Sequence, residues 1–253
     1  MDIYLKIKEE LNVEKWQVEA AVKLIDEGCT IPFISRYRKE ATGSLNDEQL
    51  RELHERLVYL RNLEEKKEQV LGSIQEQGKL TQELKEKILE AQTLVVVEDL
   101  YRPYRPKRKT RASVAKAKGL DGLAEYILSQ TAQAPLTEEA AKYVTGEDAE
   151  EEKRVRTPQE ALQGAQDIIA EGISDNADYR SYIREITVQE GVVTSSAKDE
   201  KAQSVYEMYY HFEEPVRKMA GHRVLALNRG EAEKLLTVKV EAPVERILRY
   251  LEK

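Results

Sequence analysis

Asn46-Asp-Glu-Gln-Leu-Arg-Glu-Leu-His-Glu-Arg-Leu-Val-Tyr-Leu-Arg-Asn-Leu63 is the stretch whose reading decides the fold. Leu50, Leu53, Leu57, Leu60 and Leu63 follow one another at steps of three and four, the spacing that lines up one face of a helix. Asn46 can cap that helix. Asp47 and Glu48 suit its positive N-terminal end, and Gln49 completes a capping box. The stripe is long enough for a coiled coil or a helical hairpin. Gly78 ends the region, and Thr81 caps a returning helix with Leu84, Ile88 and Ala91 on one face. A helix, a short turn and a returning helix predict a long antiparallel pair over 46–92.

On the N-terminal side, Asn12 is placed to cap a helix that turns Trp16, Val18, Val22 and Ile25 inward and ends at Gly28. Pro32 and Gly43 punctuate the segment after that helix, and Arg36, Arg38 and Lys39 form a small cationic cluster there. Gly28, Gly43, Gly72 and Gly78 all read as helix ends or turns. On the C-terminal side, Val95, Val96 and Val97 favour strand by propensity, yet they continue the helical pattern from Leu84 towards Leu100, so helix is expected. Short helices are expected around 114–118 and 120–130, and another begins at Glu138 and Glu139. Thr157-Pro-Gln-Glu160 is a clear helix start: threonine caps, proline takes the first position, and Glu160 can reach back. Its helix is expected to end at Gly172, and a further one to run from Asn176 to Gln189. Val192 to Ala197 reads as a polar break, Asp199 to Tyr210 as helix, and Thr237 to Glu241 as the convincing strand. That strand has no obvious partner, which points to a chain continuing beyond Lys253.

The 253 residues carry 34% charged and 6% aromatic side chains, and the mean hydropathy is −0.62. This is a helix-rich composition with no apolar run of membrane-spanning length. Met1 to Leu5 has no signal-peptide layout. The single cysteine, Cys29, excludes an internal disulfide and fits a reducing, cytoplasmic setting; it reads as a small packed thiol.

Charge is distributed unevenly. The formal net charge is −7, yet Arg102, Arg105, Lys107, Arg108, Lys109, Arg111, Lys116 and Lys118 stand between Leu100 and Leu120 with no carboxylate among them. A basic arm over 100–118 on an acidic chain suggests a phosphate-bearing partner. Pro103 and Pro106 are expected to hold it extended, with Tyr101 and Tyr104 placed to stack on bases. The competing reading is that these cations pair with acids elsewhere in the chain; charge alone leaves the two even.

Three blocks carry a family resemblance: Ile31-Pro-Phe-Ile-Ser-Arg-Tyr-Arg-Lys-Glu-Ala-Thr-Gly43; Glu98-Asp-Leu-Tyr-Arg-Pro-Tyr-Arg-Pro-Lys-Arg-Lys-Thr-Arg111; and Ala197 to Glu231, through Tyr209, Glu214-Pro215 and His222-Arg-Val-Leu-Ala-Leu-Asn-Arg-Gly-Glu231. In this order they resemble the bacterial Tex family of transcription accessory proteins, over essentially the whole chain. The resemblance implies an N-terminal fragment of a longer protein. Residues 1–191 would be the N-terminal helical domain, and 192–253 the start of a central region before an RNase H-like domain. Helix-hairpin-helix motifs and a C-terminal OB-fold RNA reader would come after it. The resemblance also implies a helix-turn-helix-like unit near 12–43. The expected fold is therefore mainly α: an elongated multi-helical domain with at most one or two short strands near the C-terminus.

Signals for catalysis are weak. His54, His211 and His222 are scattered, and neither a zinc spacing nor a phosphate loop is present. Glu98 and Asp99 are adjacent, about 100° apart on a helix, so they do not converge on a metal; their expected role is to hold Arg102 and Arg105. No cofactor and no enzymatic activity are expected. The candidate nucleic-acid-binding residues are Arg36, Arg38, Lys39, Tyr101, Arg102, Tyr104, Arg105, Lys107, Arg108, Lys109 and Arg111. The first reading is an RNA- or DNA-associated module gripping the nucleic-acid backbone. The second is a scaffold docking on RNA polymerase or on other domains of the same protein, with the OB-fold binding nucleic acid. A hydrolase fragment ranks last, and no membrane partner is expected.

Overall fold

The computed structural model describes residues 2–106, 108–131, 135–146 and 150–252. It is mainly α, with thirteen α-helices and one three-stranded sheet among the described residues. The chain forms two compact units, Met1–Arg105 and Pro106–Lys253.

The first unit holds α1 (Ile3–Leu11), α2 (Lys15–Asp26), α3 (Ile31–Tyr37), α4 (Asp47–Glu76), α5 (Gln82–Glu90) and α6 (Leu94–Tyr101). The 30 residues of α4 make a helix about 45 Å long. Asn46 and Gln49 close its capping box reciprocally, as the spacing requires. All five leucines of the stripe are buried, and the stripe continues through Lys67, Val70 and Ile74. Helices α1, α2 and α3 cover it with Ile7, Val18, Ala21, Val22 and Ile34. Gly78 turns the chain at φ +67°, and Thr81 caps α5. Lys67 Nζ donates to Leu89 O at 2.8 Å, so α5 returns antiparallel to α4. The second half of the pair is short, nine residues against thirty. Helix α6 then runs parallel to α4: the Leu94 N–H meets Tyr59 Oη near its start, and Tyr101 Oη meets Ser73 Oγ near its end. The three valines are helical, and Val97 alone of them is fully buried.

Several local expectations are corrected here. Asn12 is the left-handed C-cap of α1, a helix not foreseen, and Glu14 with Gln17 forms the capping box of α2. Trp16 is 52% exposed. Its ring edge lies over the turn at Gly43, where φ is +61° and a Cβ would come within 2.6 Å of the indole. Gly72 and Gly172 sit inside helices with open space around them, so glycine ends neither. His54 is half-buried.

The second unit begins with α7 (Arg111–Ala117), α8 (Asp121–Leu128), α9 (Leu136–Ala141) and α10 (Pro158–Asp175) around a core of Ala115, Leu120, Leu123, Ala161 and Ala165. Thr157 caps α10 as expected, while Glu160 reaches one residue further back, to the Arg156 N–H at 2.9 Å. Next come α11 (Ala177–Glu190), β1 (Val192–Ala197), β2 (His211–Pro215), α12 (Gly221–Ala232), β3 (Leu236–Glu241) and α13 (Val244–Leu251). At residue 191 the chain thus passes from helix to sheet inside this unit.

The sheet has the order β2-β1-β3, antiparallel throughout, with Thr194 opposite both Glu213 and Lys239. Three strands replace the expected one or two. The supposed polar break is the central strand. Val193 and the buried Ser195 share its inner face, and Ser195 Oγ donates to Tyr209 O at 2.5 Å. The strand ending at Glu241 is therefore no orphan: β1 pairs with it along its whole length. Asp199 to Tyr210 is irregular with a short 3-10 turn at Glu207–Tyr209, because Tyr206, Tyr209 and Tyr210 fold into one buried cluster with Leu227 and Leu236. Among the described residues no helix is long and apolar enough to cross a membrane.

Candidate nucleic-acid interface

The basic arm is built from three different local structures, not one extended strip. Arg102–Tyr104 is a 3-10 turn continuing α6, Arg105 is extended, and α7 opens at Arg111. A proline at the start of a turn loses no hydrogen bond there, so Pro103 favours the turn. Thr110 and Ser113 then close a capping box, and Thr110 Oγ1 also donates to Glu171 Oε1 at 3.0 Å.

Within the first unit, the arm is held against the protein. Tyr101 and Tyr104 are half-buried and pack on the core; Gln77 Nε2 also donates to Tyr104 O. Their rings are packing groups rather than free stacking faces. Glu98 takes Arg105 at 2.9 Å and Lys66 at 2.7 Å, so the expected clamp on Arg105 exists. Asp99 is buried and Arg102 exposed.

Within the second unit the cations divide. Lys118 pairs with Glu160 at 2.6 Å, and that bond, followed by the Arg156 N–H, lowers the Glu160 pKa below its ordinary value. Arg111 is 87% exposed, with Asp167 at 3.8 Å. Arg108 and Lys109 are exposed, and no ion pair falls on either among the described residues; Lys107 lies outside them. Ala112 and Ala115 bury the inner face of α7 against α10. That leaves a groove of about 350 Å³ with Lys109, Arg111 and Lys118 on one side and Glu160 and Asp167 on the other. This wall is mixed in sign.

Arg36, Arg38 and Lys39 are all exposed, at the end of α3 and in the turn after it. They line an open hollow of about 480 Å³ with Tyr37, Glu40 and Ala41. Arg51, Arg56 and Arg61 of the same unit each hold a carboxylate, from Asp47, Glu10 and Asp26. No such pair falls on Arg36, Arg38 or Lys39 among the described residues. Tyr37, 68% exposed, is the member of this cluster that sequence reasoning passed over; the signal available was an aromatic set between two arginines. Among the described residues no three His, Cys, Asp or Glu side chains gather where they could hold a metal ion.

Comparison with known proteins bears on the whole chain. The Tex-like protein N-terminal domain model matches residues 1–75, and the Tex central region-like model matches residues 130–250. The uncharacterized protein YdcI of Bacillus subtilis is 47% identical over 251 residues, covering 98% of this chain and 34% of YdcI. Transcriptional accessory protein Tex of Neisseria gonorrhoeae is 40% identical over 243 residues, 95% of this chain and 31% of its own length. The human S1 RNA-binding domain-containing protein 1 is 31% identical over 248 residues, 94% of this chain and 24% of its own. The chain thus spans about a third of the length of its bacterial relatives. With both models matched in order and Tex proteins similar along nearly all of it, the chain belongs to the Tex family, as its N-terminal and central-region part.

Proposed function

We propose that this chain is a nucleic-acid-associated module of a transcription accessory protein, offering a basic surface to the RNA or DNA backbone. The carrying observation is two clusters of exposed cations on which no ion pair falls among the described residues: Arg36, Arg38 and Lys39 in one unit, Arg108 and Lys109 in the other. In an acidic chain whose other arginines mostly hold carboxylates, such clusters keep their field for an external anion. The names of the Neisseria and human relatives, transcriptional accessory and RNA-binding, support the same direction. Phosphate contacts of this kind position a strand without reading its sequence. The reading is of a cytoplasmic binding module and not an enzyme.

A second reading, a scaffold for RNA polymerase or for further domains, has support in Val205, Met208 and Leu225, which expose large apolar side chains in the second unit. Titration of the chain against single- and double-stranded RNA and DNA separates the two. The first reading expects micromolar or weaker binding. With about four phosphates neutralised, log K falls against log salt with a slope near −3 on a single strand. Binding to a protein partner with no salt-dependent shift on any nucleic acid would support the scaffold instead.

A further inference from the structure

We propose that Tyr37, backed by Phe33, is a stacking platform for an unpaired base of single-stranded nucleic acid, with Arg36, Arg38 and Lys39 holding the flanking phosphates. This rests on the preceding reading and extends it to a residue and a ligand form.

Tyr37 is 68% exposed and Phe33 38%, and neither belongs to the core of the unit; Ile31 and Ile34 bind α3 to that core. The Tyr37 ring therefore contributes little packing to the fold. It lies 5.4 Å from Phe33, tilted by 44°, and the Arg38 guanidinium stands 5.4 Å over the Phe33 ring. Such a contact orients Arg38 without neutralising it. The turn behind the platform is tied down. Thr42 donates from both its N–H and its hydroxyl to Arg38 O, and Ser44 N–H donates to Lys39 O. Gln17 Nε2 reaches across from α2 to Thr42 O and Gly43 O. Thr42 itself is fully buried. Cations and ring are thus presented by the end of α3 and the fixed turn behind it, which lowers the ordering cost of binding.

An exposed ring between unpaired arginines matches the chemistry of a single strand, whose bases offer free faces and whose phosphates offer charge. A duplex offers the phosphates with its base faces already covered. An acidic peptide would use the cations and leave the ring idle.

The test measures this chain against an oligouridine and against an abasic sugar-phosphate strand of equal length and charge, at one low salt concentration. The expected result is roughly tenfold tighter binding of the base-bearing strand, equivalent to about 1.4 kcal/mol. Tyr37→Ala should abolish that preference while keeping the abasic affinity and the thermal midpoint, and Tyr37→Phe should retain it. Equal binding of the two strands by the parent, or an unchanged preference in Tyr37→Ala, overturns the stacking inference and leaves the backbone reading standing. An acidic peptide that displaces the strand equally from parent and Tyr37→Ala also overturns it. Absence of binding to either strand removes both.

Discussion

Lys67 occupies a core position of α4, and replacing it tests how that helix is held. Its side chain is 2% exposed, with Nζ at 2.8 Å from Leu89 O and 2.9 Å from Glu64 Oε1. Lys67→Ala deletes three buried methylenes, about 2.4 kcal/mol at roughly 0.8 each, before any cavity is counted. It also leaves Leu89 O without its donor, while the cost of keeping an ammonium out of water disappears. A net loss of about 2–4 kcal/mol is expected. Lys67→Met keeps the length and the packing, so the lost bonds and the recovered desolvation nearly offset, within about 1–2 kcal/mol. Lys67→Glu sets a buried carboxylate against Glu64 and a carbonyl oxygen, and should cost about 3–5 kcal/mol. Trp16 is the single tryptophan and lies in the same unit, so its fluorescence in urea reports on this unit. The expected order of midpoints is parent close to Met, then Ala, then Glu. A Lys67→Glu protein as stable as the parent would refute the assignment of Lys67 to the core.

Gly164 and Gly172 share α10 and should respond in opposite directions. A Cβ at Gly164 would stand 2.4 Å from Leu120 Cδ1 and 3.2 Å from Ala115 Cβ, so Gly164→Val should lose about 1–3 kcal/mol as α7 is pushed away. Nothing lies within 4 Å of such an atom at Gly172, and Gly172→Ala should gain up to about 1 kcal/mol by helix propensity, read as a shift in thermal midpoint. The lowered Glu160 pKa predicts acid sensitivity: its contribution is complete above the ordinary value of 4.5 and is lost as pH falls through the lowered folded value. Between about pH 5 and pH 3 the parent should therefore lose more stability than Glu160→Gln; equal losses in an acid titration would count against the Lys118–Glu160 bond.

Physical scale decides how much of the fold was legible in the sequence. Local rules acting over a few residues were readable: the capping box at Asn46, the caps at Thr81 and Thr157, and the leucine stripe. The stripe reads as stopping at Leu63 because Lys67 is charged; only packing reveals that its ammonium finds Leu89 O and Glu64. Strand β1 was illegible because Thr194, Ser195 and Ser196 read as polar, while their pairing with His211–Pro215 and Leu236–Glu241 depends on distant segments. Trp16 deceived for a related reason: its partner is a glycine turn 27 residues away. At the candidate interface, charge was legible and neutralisation only where the partners are close in the chain, as Glu98 and Arg105 are. Nothing in the order of residues says that Glu160 takes Lys118 while Arg36 and Arg38 keep their charge.

The central claim is that exposed cations of the arm meet phosphate. Arg108→Gln, Lys109→Gln and Arg111→Gln in one protein would remove up to three such contacts from exposed positions, away from the leucine stripe. Measured on single-stranded RNA across a salt series of about 50–200 mM, the slope of log K against log salt should flatten by about two, with the thermal midpoint nearly unchanged. A triple variant that keeps the parent's slope while its stability collapses would contradict the claim and make the arm an internal electrostatic clamp.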